Sequence, residues 1–326
     1  MIGPDTLLAD YYADWVRTYK TGGRLRLSTQ DSYAGAVDIL RLYAPNLRLG
    51  ELGKRSYQEL LNRYAGGRRK NSVKHFHNLV KPALMDAIDD NLVPGNTLRR
   101  VVIKGEGKRK ERNWLSVAET AALCREFELE KPIVTAAERR HSRGYELATN
   151  WDWLFLLVLK TGLRFSEALG LFPEDFDLEA GTLSVRRTYD YKFGHVLREQ
   201  TKTRHSARTV ALDGATLGMF AGQLSGMERG RPFFIPEGQK AHNRSANNRL
   251  RLLCDRADVP AVDIHGLRHT HGSLLLYAGV SLKAIQQRLG HSSPSLTMNV
   301  YMHVVEELET QDREKLSEGM GRIFLF

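Results

Sequence analysis

Cysteine is scarce: Cys124 and Cys254 are the two in 326 residues. Their spacing fits neither a disulfide framework nor a zinc knuckle, which excludes small cross-linked secreted scaffolds and cysteine-built metal folds. Long apolar runs are missing as well. The longest, Trp153 to Leu159, has seven residues and stops at Lys160, far short of the roughly 20 needed to cross a bilayer. The opening MIGPDTLLADYYADW has neither the basic start nor the apolar stretch of a secretion signal. A soluble protein of a reducing, cytoplasmic setting is the expectation, and the length allows two domains. Acidic residues are too few at one end to balance the basic ones. Residues 1–112 hold 21 Lys and Arg against 12 Asp and Glu, whereas the remainder holds 27 against 26, within a net charge of +10. A basic field so concentrated suits a polyanion, because neutralising phosphates releases condensed counterions. A solvated basic face reads the same from charge alone.

What is present divides the chain in two. In TLLADYYADWVRTYK, Leu8, Tyr11, Tyr12, Trp15, Val16 and Tyr19 follow the spacing of one helical face. Ser28 and Asp31 resemble a capping box opening a second helix. NSVKHFHNLVKPALMDAIDDNLV continues the helical pattern, with Pro82 expected to kink or break it. Residues 1–103 therefore read as a helical bundle. Residues 104–112, KGEGKRKER, are rich in charge and glycine without an apolar side chain, the composition of a flexible basic linker. Residues 113–326 form the second unit, with Ser116 as the N-cap of its first helix. YELATNWDWLFLLVLKTGL is apolar on most faces and suits a buried helix. GTLSVRRTYDY and SARTVALD alternate like strands around a polar, hairpin-like excursion. The expected class is mainly α with a small antiparallel β-sheet: a helical bundle followed by an α+β unit.

The second unit carries four charged motifs: TGLRFSEALGL, EQTKTRHSARTV, HGLRHTHGS and LGHSSPSLTMNVYMH. The three histidines of HGLRHTH invite a metal reading. Arg268 in their midst is a permanent cation and opposes it, and no carboxylate or thiolate supports it. Each motif alone has a plain structural reading: an Arg164–Glu167 surface pair, a solvated Lys202, a core histidine, a core tyrosine. Together they supply the groups for metal-free phosphodiester transesterification. Guanidinium forks bind non-bridging phosphate oxygens at any working pH. A tyrosine beside arginines can become a phenolate nucleophile, an imidazole can take its proton, and a lysine can protonate the leaving oxygen.

In this order and spacing the four blocks closely resemble the tyrosine recombinase (phage integrase) family. The resemblance spans the second unit, and more loosely the first, which looks like that family's core-DNA-binding domain. It implies that Arg164 and Arg268 hold the phosphate, Lys202 is the general acid, and His265 accepts a proton or donates to the oxyanion. It also implies that His291 hydrogen-bonds the phosphate, Glu167 orients catalytic groups, and Tyr301 is the nucleophile. His269 and His271 are expected to pack or cap within the fold. DNA contacts are expected at Lys70, Lys74, Lys104, Lys108, Arg109 and Lys110. The implied activity is DNA integration and excision through a 3′-phosphotyrosyl intermediate, without cofactor, metal or ATP. Implied partners are double-stranded DNA, three further copies in a homotetramer on synapsed DNA, and accessory DNA-bending or directionality proteins. No membrane is involved, and the expected location is cytoplasmic, on the nucleoid. The tail after Tyr301, ending in Ile323, Phe324, Leu325 and Phe326, either docks on a neighbouring copy or packs back on its own chain. An extra arm-binding domain is not expected within the chain, because helical patterning begins almost at Met1. The long hairpin favours a mobile-element integrase. The alternatives are a chromosome or plasmid dimer resolvase, a type IB topoisomerase-like enzyme and a catalytically silent DNA-binding regulator.

Overall fold

The computed structural model describes residues 2–20, 25, 27–107, 112–138, 145–198 and 207–290. Two compact units divide the chain, Met1–Glu111 and Arg112–Phe326.

In the first unit four helices, α1 (Leu8–Lys20), α2 (Leu27–Tyr43), α3 (Lys54–Ala65) and α4 (Lys70–Asp89), bury Leu8, Tyr12, Leu40, Tyr57, Leu60 and Phe76 in one core. α2 starts at Leu27, so the expected Ser28 cap falls inside the helix. Pro82 was expected to kink or break α4, yet the helix runs unbroken through it. Proline removes one backbone donor and crowds the preceding turn. Side chains of α1 supply donors on either side: Tyr12 Oη donates to Leu79 O and Tyr11 Oη to Ala83 O, both at 3.1 Å. Trp15 Nε1 adds a 2.6 Å bond to Asp86 Oδ2.

The glycine-rich start of the expected linker is ordered into this unit. Glu106 N donates to Arg68 O at 2.8 Å and Lys70 N donates to Glu106 O at 3.0 Å, forming a parallel bridge. Gly105 lies so close that a Cβ there would sit 2.7 Å from Lys70 N. This glycine therefore serves close approach rather than flexibility.

The second unit is α+β. Ser116 caps α5 (Val117–Arg125) in a reciprocal capping box with Glu119. A hairpin of β1 (Val134–Glu138) and β2 (Tyr145–Thr149) follows, so the stretch read as the start of the buried helix is a strand. The helix proper, α6 (Trp151–Thr161), has Leu154, Phe155, Leu157 and Val158 at 0% exposure. Being apolar all round, it needs cover on every side. After α7 (Phe165–Leu169) come β3 (Phe176–Asp177), β4 (Thr182–Val185), β5 (Thr188–Asp190), β6 (Val196–Arg198) and β7 (Arg208–Ala211). They form an antiparallel three-stranded sheet, β3-β4-β7, and a separate β5-β6 hairpin. Helices α8 (Gly214–Leu224), α9 (Asn243–Arg256), α10 (Ile264–Tyr277) and α11 (Leu282–Leu289) complete the unit, with α10 packed along α6. Among the described residues no helix is long and apolar enough to cross a membrane.

Gly162 ends α6 with φ 70°, where a Cβ would lie 2.5 Å from Leu289 and 2.6 Å from His271. Gly162→Ala is expected to lower stability by about 2–5 kcal/mol, the left-handed penalty plus overpacking. The check is the urea midpoint at constant slope.

Candidate active site

Helices α6 and α11 both end in left-handed glycines, Gly162 and Gly290 (φ 66°). The last carbonyls of a helix lack intrahelical donors and carry the negative end of its dipole. Here cationic and imidazole side chains from elsewhere cap them. At α6, His271 Nδ1 lies 2.7 Å from Leu159 O, Arg288 Nη2 donates to Lys160 O at 3.0 Å, and Arg268 Nη1 donates to Gly162 O at 2.5 Å. At α11, Arg208 Nε donates to Arg288 O at 2.7 Å. Arg268 Nη2 donates to Leu289 O at 2.7 Å, and Arg164 Nη2 to Gly290 O at 3.0 Å. Arg268, 1% exposed, bonds to both helix ends.

Glu167, equally buried at 1%, ties two of these arginines together. Its Oε1 accepts from Arg164 Nη1 at 2.7 Å, and its Oε2 accepts from Arg208 Nη2 at 2.9 Å and from the Arg164 backbone N–H at 2.9 Å. Burial pushes its carboxyl up, but Arg208, Arg164 and Arg268 outweigh that and hold it below the ordinary value. His271 is driven the other way, down to about 3, by burial and then by Arg288 and other cations. Arg288 Nε donates to its Nε2 at 3.0 Å, so the network assigns the proton to Nδ1, donated to Leu159 O.

His265 sits in the first turn of α10. Asp263 caps that helix by accepting from Gly266 N at 2.8 Å, and is itself gripped by Asn113 through bonds of 2.9 and 3.1 Å. Gly266 is backed so closely by Asn113 that any Cβ would collide. The imidazole meets His269 edge-on at 4.5 Å and lines a cleft of about 350 Å³ with Arg164, Ser166, Tyr191 and Asn247. It keeps a solvent-facing rim, yet desolvation, then Arg268 and Arg164, lower its pKa against the opposing pull of Asp263. At neutral pH it is therefore an uncharged imidazole, able to accept a proton.

Of the residues singled out from sequence, Arg164, Glu167, His265 and Arg268 converge here. Lys202, His291 and Tyr301 lie outside the described residues, as do Lys108, Arg109 and Lys110 and the tail with its apolar end. In the first unit, Lys70 and Lys74 are exposed one turn apart on α4, and the Arg69–Glu106 bridge holds the segment after the exposed Lys104 against the start of that helix. Arg208 and Arg288 were assigned no role from sequence. A signal for Arg208 was available: it shares a strand face with buried Val210, a position where an unpaired charge is costly. Among the described residues no group of three or more His, Cys, Asp or Glu is placed to hold a metal ion.

The profile of the phage integrase family matches residues 126–307. A "Tyrosine recombinase XerC-like" protein of Caldanaerobacter subterraneus is 29% identical over 81% of this chain and 70% of its own length. The integrase of Staphylococcus phage L54a is 31% identical over 48% of this chain and 49% of its own. The chain thus spans between half and seven-tenths of these two relatives. Among solved structures, the Tn1549 transposon integrase bound to transposon right-end DNA superposes with a TM-score of 0.74 at 18% identity, covering 96% of this chain and 100% of that one. That likeness shows the fold, an N-terminal helical region joined to a recombinase catalytic domain. The chain belongs to the phage integrase family, the tyrosine recombinases, which are site-specific DNA strand transferases.

Glu167→Gln removes one partner of a buried ion network and is expected to cost about 3–5 kcal/mol at pH 7. Because the folded carboxyl is held below its unfolded pKa, this contribution is full above the ordinary value of 4.5. It fades as pH falls through the lower folded value. The stability gap between wild type and variant, measured by urea titration, should therefore narrow in acid.

Proposed function

We propose that the chain is the site-specific recombinase of a mobile genetic element, acting as integrase and excisionase on double-stranded DNA. The observation that carries this reading is the convergence of Arg164 and Arg268 on the end of α11, with His265 beside Arg164 at one cleft. By family resemblance, Tyr301 supplies the nucleophile. Its phenolate oxygen attacks the scissile phosphorus, the P–O5′ bond breaks, and a 3′-phosphotyrosyl ester forms. The departing 5′ oxygen takes its proton from Lys202. His265 accepts the phenol proton or donates to the oxyanion, while His291 hydrogen-bonds the phosphate. Arg164 and Arg268 bear on the non-bridging oxygens, where preorganised positive charge stabilises the pentavalent transition state. The protein–DNA ester conserves the phosphodiester energy, so attack by a 5′-hydroxyl of a partner duplex reverses the step and completes exchange.

Relatives from phages and transposons support the element reading. The XerC-like relative supports a dimer resolvase of the same chemistry as the second. Four copies on two synapsed duplexes, with accessory bending or directionality proteins on the nucleoid, fit either. Lys70, Lys74 and Lys104 together offer a cationic track for the phosphate backbone, continued in sequence by Lys108, Arg109 and Lys110.

A nicked duplex carrying the element's end junction traps the covalent intermediate, because the released strand diffuses away. Wild type is expected to form the adduct and Tyr301→Phe none; an adduct from the variant would assign the nucleophile elsewhere. Lys202→Ala should be slow on the natural duplex but recover when sulfur replaces the scissile 5′ oxygen, since a thiolate leaves without a proton. In binding titrations, Lys70→Ala with Lys74→Ala should flatten the slope of log K against log salt by about 1–2, roughly 0.9 per lost phosphate contact.

A further inference from the structure

Arg208 lies where three parts of the site meet. It is the first residue of β7, six positions after Lys202 in sequence. Its guanidinium, with the side chain 7% exposed, gives Nη2 to Glu167 Oε2 at 2.9 Å and Nε to Arg288 O at 2.7 Å. Glu167 is the carboxylate that Arg164 also grips. Arg288 O is the first of three consecutive α11 carbonyls held by three different arginines, and the chain passes from the last of them, Gly290, to His291. Opposed to Val185 in the sheet, Arg208 is fixed by backbone pairing as well. Such a planar fork satisfies two acceptors at fixed angles, which an ammonium at the end of a flexible stem does not.

We propose that Arg208 is a positioning residue for strand cleavage, aligning Arg164 through Glu167 and the end of α11 through the Arg288 carbonyl. It acts through these groups and does not touch DNA. The proposal rests on the recombinase reading above. Loss of the fork lets Arg164 and the α11 terminus move by fractions of an ångström, which suffices to slow chemistry while leaving ground-state binding in place.

The test compares wild type, Arg208→Ala and Arg208→Lys in single-turnover cleavage of the nicked duplex at saturating DNA, alongside DNA affinity and thermal melting. Arg208→Lys keeps a cation beside the buried Glu167 and so guards against simple unfolding. The expected result is at least a tenfold loss of cleavage rate in Arg208→Lys, with affinity within about twofold of wild type and melting within a few degrees. Arg208→Ala should be slower still and partly rescued by millimolar guanidinium, which fills the vacated site. A cleavage rate in folded Arg208→Lys within twofold of wild type overturns the proposal, as does a loss that appears in affinity while the saturated rate is unchanged. Failure of wild type itself to form the adduct would instead overturn the recombinase reading.

Discussion

The second unit depends on a guanidinium taken out of water. Arg268 is 1% exposed, and an unpaired cation there would be strongly disfavoured. It persists because two helix ends point carbonyls at it, from Gly162 and Leu289. Those carbonyls carry the negative poles of α6 and α11 and have no donors of their own. Cation and termini solve each other's problem, and so neither helix can shift without exposing both defects. Left-handed glycines make the arrangement possible, since Gly162 turns the chain at a point where no side chain fits.

The same arrangement leaves the site electrically incomplete. Among the described residues, Arg164 and Arg208 bond one carboxylate, Glu167, and Arg268 adds to the positive field on it, with His265 and His271 held uncharged. Backbone dipoles offset part of that surplus but cannot cancel it. A phosphate gaining charge as its bond to the leaving group lengthens is the species such a field favours most, which is how a protein can do this chemistry with fixed cations. Glu167 keeps the cations ordered in the meantime, so they need little reorganisation when the phosphate arrives.

Much of this was legible in the residues. The Ser116–Glu119 capping box, the buried α6 and the strand pair flanking the hairpin all follow from local pattern, because capping, apolar count and alternation act over a few positions. The motifs holding Arg164, Glu167, His265 and Arg268 are far apart in sequence, and the fold brings them together. What escaped was set by partners distant in sequence. α4 continues through Pro82, and its Leu79 and Ala83 carbonyls also accept from tyrosines about 70 residues away. Tyr145–Thr149 becomes a strand because Val134–Glu138 pairs with it. Gly105 reads as a flexible residue until Lys70 is seen beside it. Arg208 looks like one more basic residue beside a polar loop until its strand partner and its two acceptors are known.

The cross-capped helix ends also impose an order of events on biosynthesis. Every bond that seats the arginines on those carbonyls, apart from the one between Arg268 and Leu289, joins residues 80 or more positions apart. Contacts of such range form late, after loop closure over most of the second unit. A ribosome that has delivered α6 and α7 but not yet α11 has made Arg164 without the carbonyl that seats it. The arginine cluster is thus assembled only when the last fifth of the chain emerges, and a chain cut before α11 would carry Arg164 and Arg208 without the carbonyls that seat them.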